Sequence, residues 1–180
     1  MQSVVTRKRA TTGRFASLME LYESNYMLVR LLAPGLRTMG TLQASVVEPP
    51  DCTTREVFVS EVEGCLDLEL GYIEHEKYTT TFNLTYRFVS DDRNPREPDL
   101  MIRIYHDART CEVMSGLLQG TRHGPLRTRD LTEGYRLNRF LQKWVRYCIR
   151  QGHSFKPGAY RSCQIKKTPT SPDEHQHSAD

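Results

Sequence analysis

The sequence predicts an α+β domain: an antiparallel sheet of three to five strands, covered on one face by an amphipathic helix from each end of the chain. Three observations carry this. Residues 131–152, LTEGYRLNRFLQKWVRYCIRQG, place Leu137, Phe140, Leu141, Trp144, Val145, Cys148 and Ile149 on one side of a helix. Arg136, Arg139, Lys143, Arg146 and Arg150 fall on the other side. The middle of the chain alternates apolar and polar residues in several short runs, the pattern of strands buried on one face. No helical run separates those strands, so the crossovers of a doubly wound parallel sheet are missing.

Taken in order, residues 1–14 carry four cations and no acid and read as a flexible basic arm. The first helix is expected from Phe15 or Ser17 to Leu32, with Leu18, Leu21, Tyr22, Asn25, Leu28, Val29 and Leu32 on one face. Met27 and Leu31 widen that face, Ser17 with Glu20 makes a capping box, and Pro34-Gly35 ends the run. Pro49-Pro50-Asp51 is a break. Arg55–Glu63 is a first strand with Val57 and Val59 on one side.

The hairpin that follows is clearer. Leu66, Leu68, Leu70 and Tyr72 alternate with polar residues, as do Tyr78, Thr80, Phe82, Leu84, Tyr86 and Phe88, and residues 74–77 lie between the two runs. Residues 90–99 form a polar loop with two prolines. A strand with Leu100, Ile102 and Ile104 on one face then turns at Asp107-Ala108 into a strand carrying Cys111 and Val113.

Residues 121–130 read as a basic linker before the second helix, which Asp130 or Thr132 would cap and Gly152 would close. The stretch after His153 reads as an irregular basic extension, and the last residues as disordered on composition. The expected organisation is therefore a single domain over 15–155, between the arm at 1–14 and a polar extension at 156–180.

Charge is segregated along the chain. Residues 15–119 hold nine Lys/Arg against seventeen Asp/Glu, whereas residues 120–167 hold twelve Lys/Arg against Asp130 and Glu133. Two arrangements produce this pattern: an acidic sheet packed beside a basic helix, or a positive face presented to a polyanion. Five scattered cysteines without a CxxC pair argue against a disulfide framework and for a reducing cytoplasm, with Cys148 a small buried apolar residue. No run reaches the roughly 18 apolar residues of a membrane span. Lipid insertion of the basic helix is not expected either, because the sheet needs the same apolar face.

There is no Walker-type loop, GxGxxG, HExxH or GxSxG. No cofactor or metal site is expected. His175 and His177 in the tail offer only incidental metal affinity, and His123 is expected to face solvent. His153 should meet free carbonyls at the helix terminus. His106 and Asp107, at the end of the Leu100–Tyr105 strand, are the best catalytic candidates, and Glu74 and His75 in the preceding hairpin loop are able to approach them as an acid–base pair or mixed metal site. The plainer alternative has Asp107 accepting turn N–H groups and His106 satisfied by a neighbour.

Four segments, LMELYESNYMLVRLL at 18–32, EKYTTTFNL at 76–84, PDLMIRIYHDARTCEV at 98–113 and LNRFLQKWVRYCIRQG at 137–152, resemble the YqiB-like bacterial family, a domain of unknown function. The resemblance covers about residues 15–155. It implies a small bacterial cytoplasmic protein of the same fold and brings no activity, cofactor or site residue.

The functional expectation is a non-covalent recognition module. Arg136, Arg139, Lys143, Arg146 and Arg150 are its candidate contacts to a nucleic acid, another polyanion or an acidic protein surface. The alternatives are an enzyme using the His106–Asp107 neighbourhood and a protein-binding adaptor. Oligomeric state is not legible.

Overall fold

In the computed structural model of the chain, the described residues are 2–39, 54–87, 97–118, 120–124 and 131–166. Among them the chain forms helix α1 (Gln2–Leu32), strands β1 (Thr54–Ser60), β2 (Asp67–His75), β3 (Thr79–Arg87), β4 (Asp99–Tyr105), β5 (Thr110–Leu118) and β6 (Thr121–His123), helix α2 (Leu131–Gln151), and strand β7 (Arg161–Lys166). The expected break at Pro49-Pro50-Asp51, the cap Asp130 and the tail histidines His175 and His177 lie outside the described residues. No helix among the described residues is long and apolar enough to cross a membrane.

The architecture is α+β, but the sheet is larger than the three to five strands expected. It has seven, in the order β6-β5-β4-β3-β2-β1-β7, each antiparallel to its neighbours. The two additions are the edges. β6 has only three residues, too few to show a period. β7 comes from the stretch read as an irregular extension and pairs with β1 from Thr54↔Lys166 to Val59↔Arg161. Its apolar residues are sparse, so nothing local marks it; the partner makes it a strand.

Both helices pack on one face of the sheet. Tyr26, Val29 and Leu32 from α1 and Leu137, Leu141, Trp144, Val145 and Cys148 from α2 join Leu68, Leu70, Phe82, Leu84, Leu100, Ile102, Ile104, Cys111 and Val113 in one core. The two-sided reading of α2 matches the structure: Leu141 is fully buried and Trp144 6% exposed, while all five cations lie outside. Trp144 meets Tyr86 edge-on at 5.4 Å, and Tyr86 OH lies 3.5 Å from Cys148 Sγ. Burial first, and then that thiol, push the Tyr86 hydroxyl well above its ordinary range. Burial likewise raises the Cys148 thiol to about 11, which keeps it an inert apolar filler.

α1 departs from expectation in three respects. It begins at Gln2, so Ser17 is inside the helix and is not a cap. Arg, Lys and Ala in the preceding segment propagate a helix nucleated further on. Met27 and Leu31, expected to widen the contact, are each 61% exposed, and Tyr26 is buried in their place. The core takes the stripe at 18, 21, 25, 29 and 32 plus Tyr26, with Tyr22 and Leu28 half-buried at its margins, and Met27 and Leu31 lie beyond it in water.

Two strand assignments also shift. A bulge between Gly71 and Glu74, with Tyr72 at φ 48°, turns Tyr72 outward although it alternates with Leu68 and Leu70. Tyr78 sits exposed before β3, with Lys77 Nζ 4.9 Å from its ring centre.

The opposite face of the sheet is mostly polar, yet its middle is buried, together with Val57 and Val59 of β1. Glu69 and Thr85 are inaccessible there, and Thr81, Asn83 and Glu112 are buried. Arg103 Nε donates to Thr81 Oγ1 (2.9 Å), Asn83 Nδ2 to Asp99 Oδ1 (2.5 Å) and Tyr105 OH to Glu112 Oε1 (2.7 Å). These cross-strand bonds offset the cost of taking polar groups out of water.

α2 ends in a Schellman motif: His153 N–H bonds Cys148 O (3.0 Å) and Gly152 N–H bonds Ile149 O (3.1 Å), with Gly152 at φ 100°. Contrary to the sequence expectation, the His153 ring does not meet the helix carbonyls. It reaches across to β1, where Nδ1 lies 3.2 Å from Ser60 O and 3.3 Å from Ser60 Oγ. Burial holds its pKa below the ordinary 6.5. The unfolded chain therefore takes up a proton first as pH falls, so the stability this contributes is complete above about 6.5 and declines on acidification below it. His153→Gln is expected to flatten that part of the urea-midpoint profile between roughly pH 5 and 7.

Candidate functional site

The residues singled out for polyanion contact share one surface. Arg136, Arg139, Lys143, Arg146 and Arg150 follow helical spacing along the outside of α2, and all five are exposed. Tyr135 and Tyr147 stand on the same side, 39% and 48% exposed. Among the described residues none of the five cations is ion-paired; Arg139 Nη1 donates to Gln142 Oε1 at 3.1 Å.

Beside this ridge lies a groove of about 270 Å³. Leu118, Leu137 and Phe140 supply apolar wall, and Arg136, Arg139 and Lys143 supply cationic wall. One end is closed by His123 Nδ1 and Glu133 Oε1, 2.8 Å apart. His123, expected to face solvent, is thus held at the end of β6 against the first turn of α2. The signal for it was an acid in that first turn, but the strand that delivers the histidine is too short to read. Of the other basic residues that flank α2 in the sequence, Arg122, Lys156 and Arg161 are exposed, and Arg161 is paired with Glu61 (Nη2–Oε1 2.5 Å). Arg127, Arg129 and Lys167 lie outside the described residues.

α2 is set in place by a residue that periodicity did not flag. Asn138 is fully buried on the apolar face. Its Oδ1 accepts from Val113 N–H (3.1 Å) and from Asn25 Nδ2 (3.3 Å), and its Nδ2 donates to Gly134 O (2.9 Å). One amide thus ties α1, α2 and β5 together beside the bulge at Met114, where Met101↔Ser115 shifts to Ile102↔Val113. An asparagine on the apolar face of each helix was the available clue.

The catalytic candidates divide. His75 and His106 come together through Thr80: His75 Nδ1 is 3.1 Å and His106 Nε2 2.8 Å from Thr80 Oγ1. Asp107 and Glu74 are exposed and do not join them. Asp107 Oδ1 accepts from Ala108 N–H at 2.8 Å, shaping the turn whose Arg109 sits at φ 53°. Among the described residues, no group of three or more His, Cys, Asp or Glu has the arrangement to hold a metal ion.

Fold and site together define a small α+β domain with a cationic groove on its outer helix. It belongs to the family described as Protein of unknown function (DUF1249), whose model matches residues 46–154, more than half of the chain. No curated protein and no solved structure is a match to it.

Proposed function

We propose that this domain is a non-covalent recognition module that holds a polyanion, in the first place a nucleic acid, along the α2 ridge. The observation that carries this reading is a single exposed helix face with five cations, two tyrosines and an adjoining groove that is apolar on one wall. A merely solvated charged face needs neither the tyrosines nor the groove. Phosphates held by Arg and Lys release counterions, and exposed aromatic rings give bases a surface for stacking. The YqiB-like, bacterial and cytoplasmic assignments belong to this same proposal. So does a partner with an acidic protein surface, which would use the cations without the stacking rings.

The test is anisotropy of labelled single-stranded and duplex oligonucleotides across a salt series. The triple variant Arg139→Glu, Lys143→Glu, Arg146→Glu is expected to lower the salt slope by roughly 2 to 3, at about 0.7 to 0.9 per lost phosphate contact. Tyr135→Ala with Tyr147→Ala is expected to weaken single-strand binding at unchanged salt slope. No association at low salt by the folded wild-type chain refutes nucleic-acid binding. Retention by an acidic peptide column alone points to the protein surface.

A further inference from the structure

At the end of α1 opposite the helix ridge's own groove, a second and smaller cleft of about 90 Å³ is lined by Arg30, Ala33, Pro34, Leu36, Arg37 and His106. The hydrogen bonds behind it fix the tautomer of its neutral histidine. His75 Nε2 lies 2.8 Å from Met39 O, a carbonyl that only accepts, so Nε2 carries a proton. In neutral His75 the other nitrogen, Nδ1, must then accept, and Thr80 O–H donates to it. The Thr80 oxygen is left to accept from His106 Nε2–H. The chain of bonds thus runs one way, from His106 through Thr80 and His75 to the Met39 carbonyl, and it leaves the His106 lone pair on Nδ1. Among the described residues Nδ1 has no hydrogen-bond partner.

The charged and titratable groups facing this ring come from the elements around it: Arg30 from α1, Arg37 from the turn after it, His75 from β2 and Asp107 from the β4–β5 turn. Burial, the two arginines and His75 outweigh Asp107 and hold His106 below its ordinary pKa. The carbonyl end of α1 accounts for one nearby cation, since Arg30 lies in its last turn. It does not account for a second arginine, nor for an imidazole held below its ordinary pKa in the same cleft.

We infer that this cleft is a proton-coupled oxyanion site, taking a phosphate or carboxylate group between Arg30 and Arg37 while His106 Nδ1 picks up a proton and donates to it. The anion offsets both arginines and turns His106 from a poor acceptor into a charged donor. Nε2 need not move, so the Thr80–His75 chain holds the ring in place in both states. This site is independent of the α2 ridge, and polyanion binding there has no bearing on it.

The experiment is an NMR titration of the imidazole nitrogens of the full chain in chloride, phosphate and acetate at matched ionic strength. The unliganded ring is expected to show Nε2–H with a bare Nδ1. Phosphate or acetate is expected to raise the His106 midpoint by about one unit, the effect of one close opposite charge. A response to phosphate alone assigns a phosphate ligand, and a response to both admits carboxylates. The exposed arginines allow a folded control, Arg30→Gln with Arg37→Gln, in which the salt-specific shift should vanish. Coincident midpoints in all three salts overturn the inference, and so does a shift that survives in the double variant.

Discussion

Replacing Asn138 with Ala is expected to cost the folded protein about 3 kcal/mol, read as a lowered urea midpoint at unchanged slope. The side chain is fully buried and serves three partners from three elements. Its loss strips Val113 N–H of this acceptor and removes one acceptor from Asn25 Nδ2, which keeps the Asn138 carbonyl at 3.1 Å. A buried polar group left short costs about 1 to 3 kcal/mol, and the cavity adds to it. Asn25→Ala should cost less. Its Oδ1 is already buried without a partner among the described residues, so removing that residue deletes one unfavourable burial along with the bonds. A double-mutant cycle should show coupling of about 1 kcal/mol between the two. Strict additivity would show that the asparagines do not act as a unit.

Gly116→Ala is the second large effect. A Cβ built there falls 2.5 Å from Leu100 Cδ2 and 2.6 Å from Asp99 O. The leucine could rotate, but the carbonyl belongs to the β4 backbone, which pairs with β3 on its other side. Relief requires the edge of the sheet to move, so the expected cost is about 2 to 3 kcal/mol or more. Gly120→Ala is the comparison. It meets nothing within 4 Å and pays only for φ 68°, about 1 kcal/mol. Equal losses in the two variants, measured by denaturant unfolding, would remove the packing argument.

Much of this was open to reading from local pattern. β2 to β5 follow their alternation, and the interior of α2 follows its helical stripe, because burial on one face imposes a period that a single segment displays by itself. Tyr72 escaped because a bulge inserts residues and reverses the side on which the ring emerges. Met27 and Leu31 escaped because apolar character shows what can be buried, whereas the width of the opposing surface decides what is. The polar face of the sheet, with Glu69 and Thr85 inaccessible, has an alternation that looks solvent-facing.

The candidate sites split along the same line. The five cations of α2 were legible because they belong to one helix, where spacing alone places them together. The groove at their side needed β6, and the His75–Thr80–His106 chain needed the register of β3 against β2 and β4, with Thr80 opposite His75 and Ile104. By itself, then, the amino-acid order determined the class of the fold, the strands of the hairpins and which side of α2 meets water. Only the tertiary structure decided that β7 closes the sheet against β1, that two asparagines from opposite helices share one buried bond network, and which of the four proposed polar residues meet. The reason is physical: a hydrophobic period is a property of one segment, whereas a hydrogen bond between remote segments exists only once packing has fixed their distance and register.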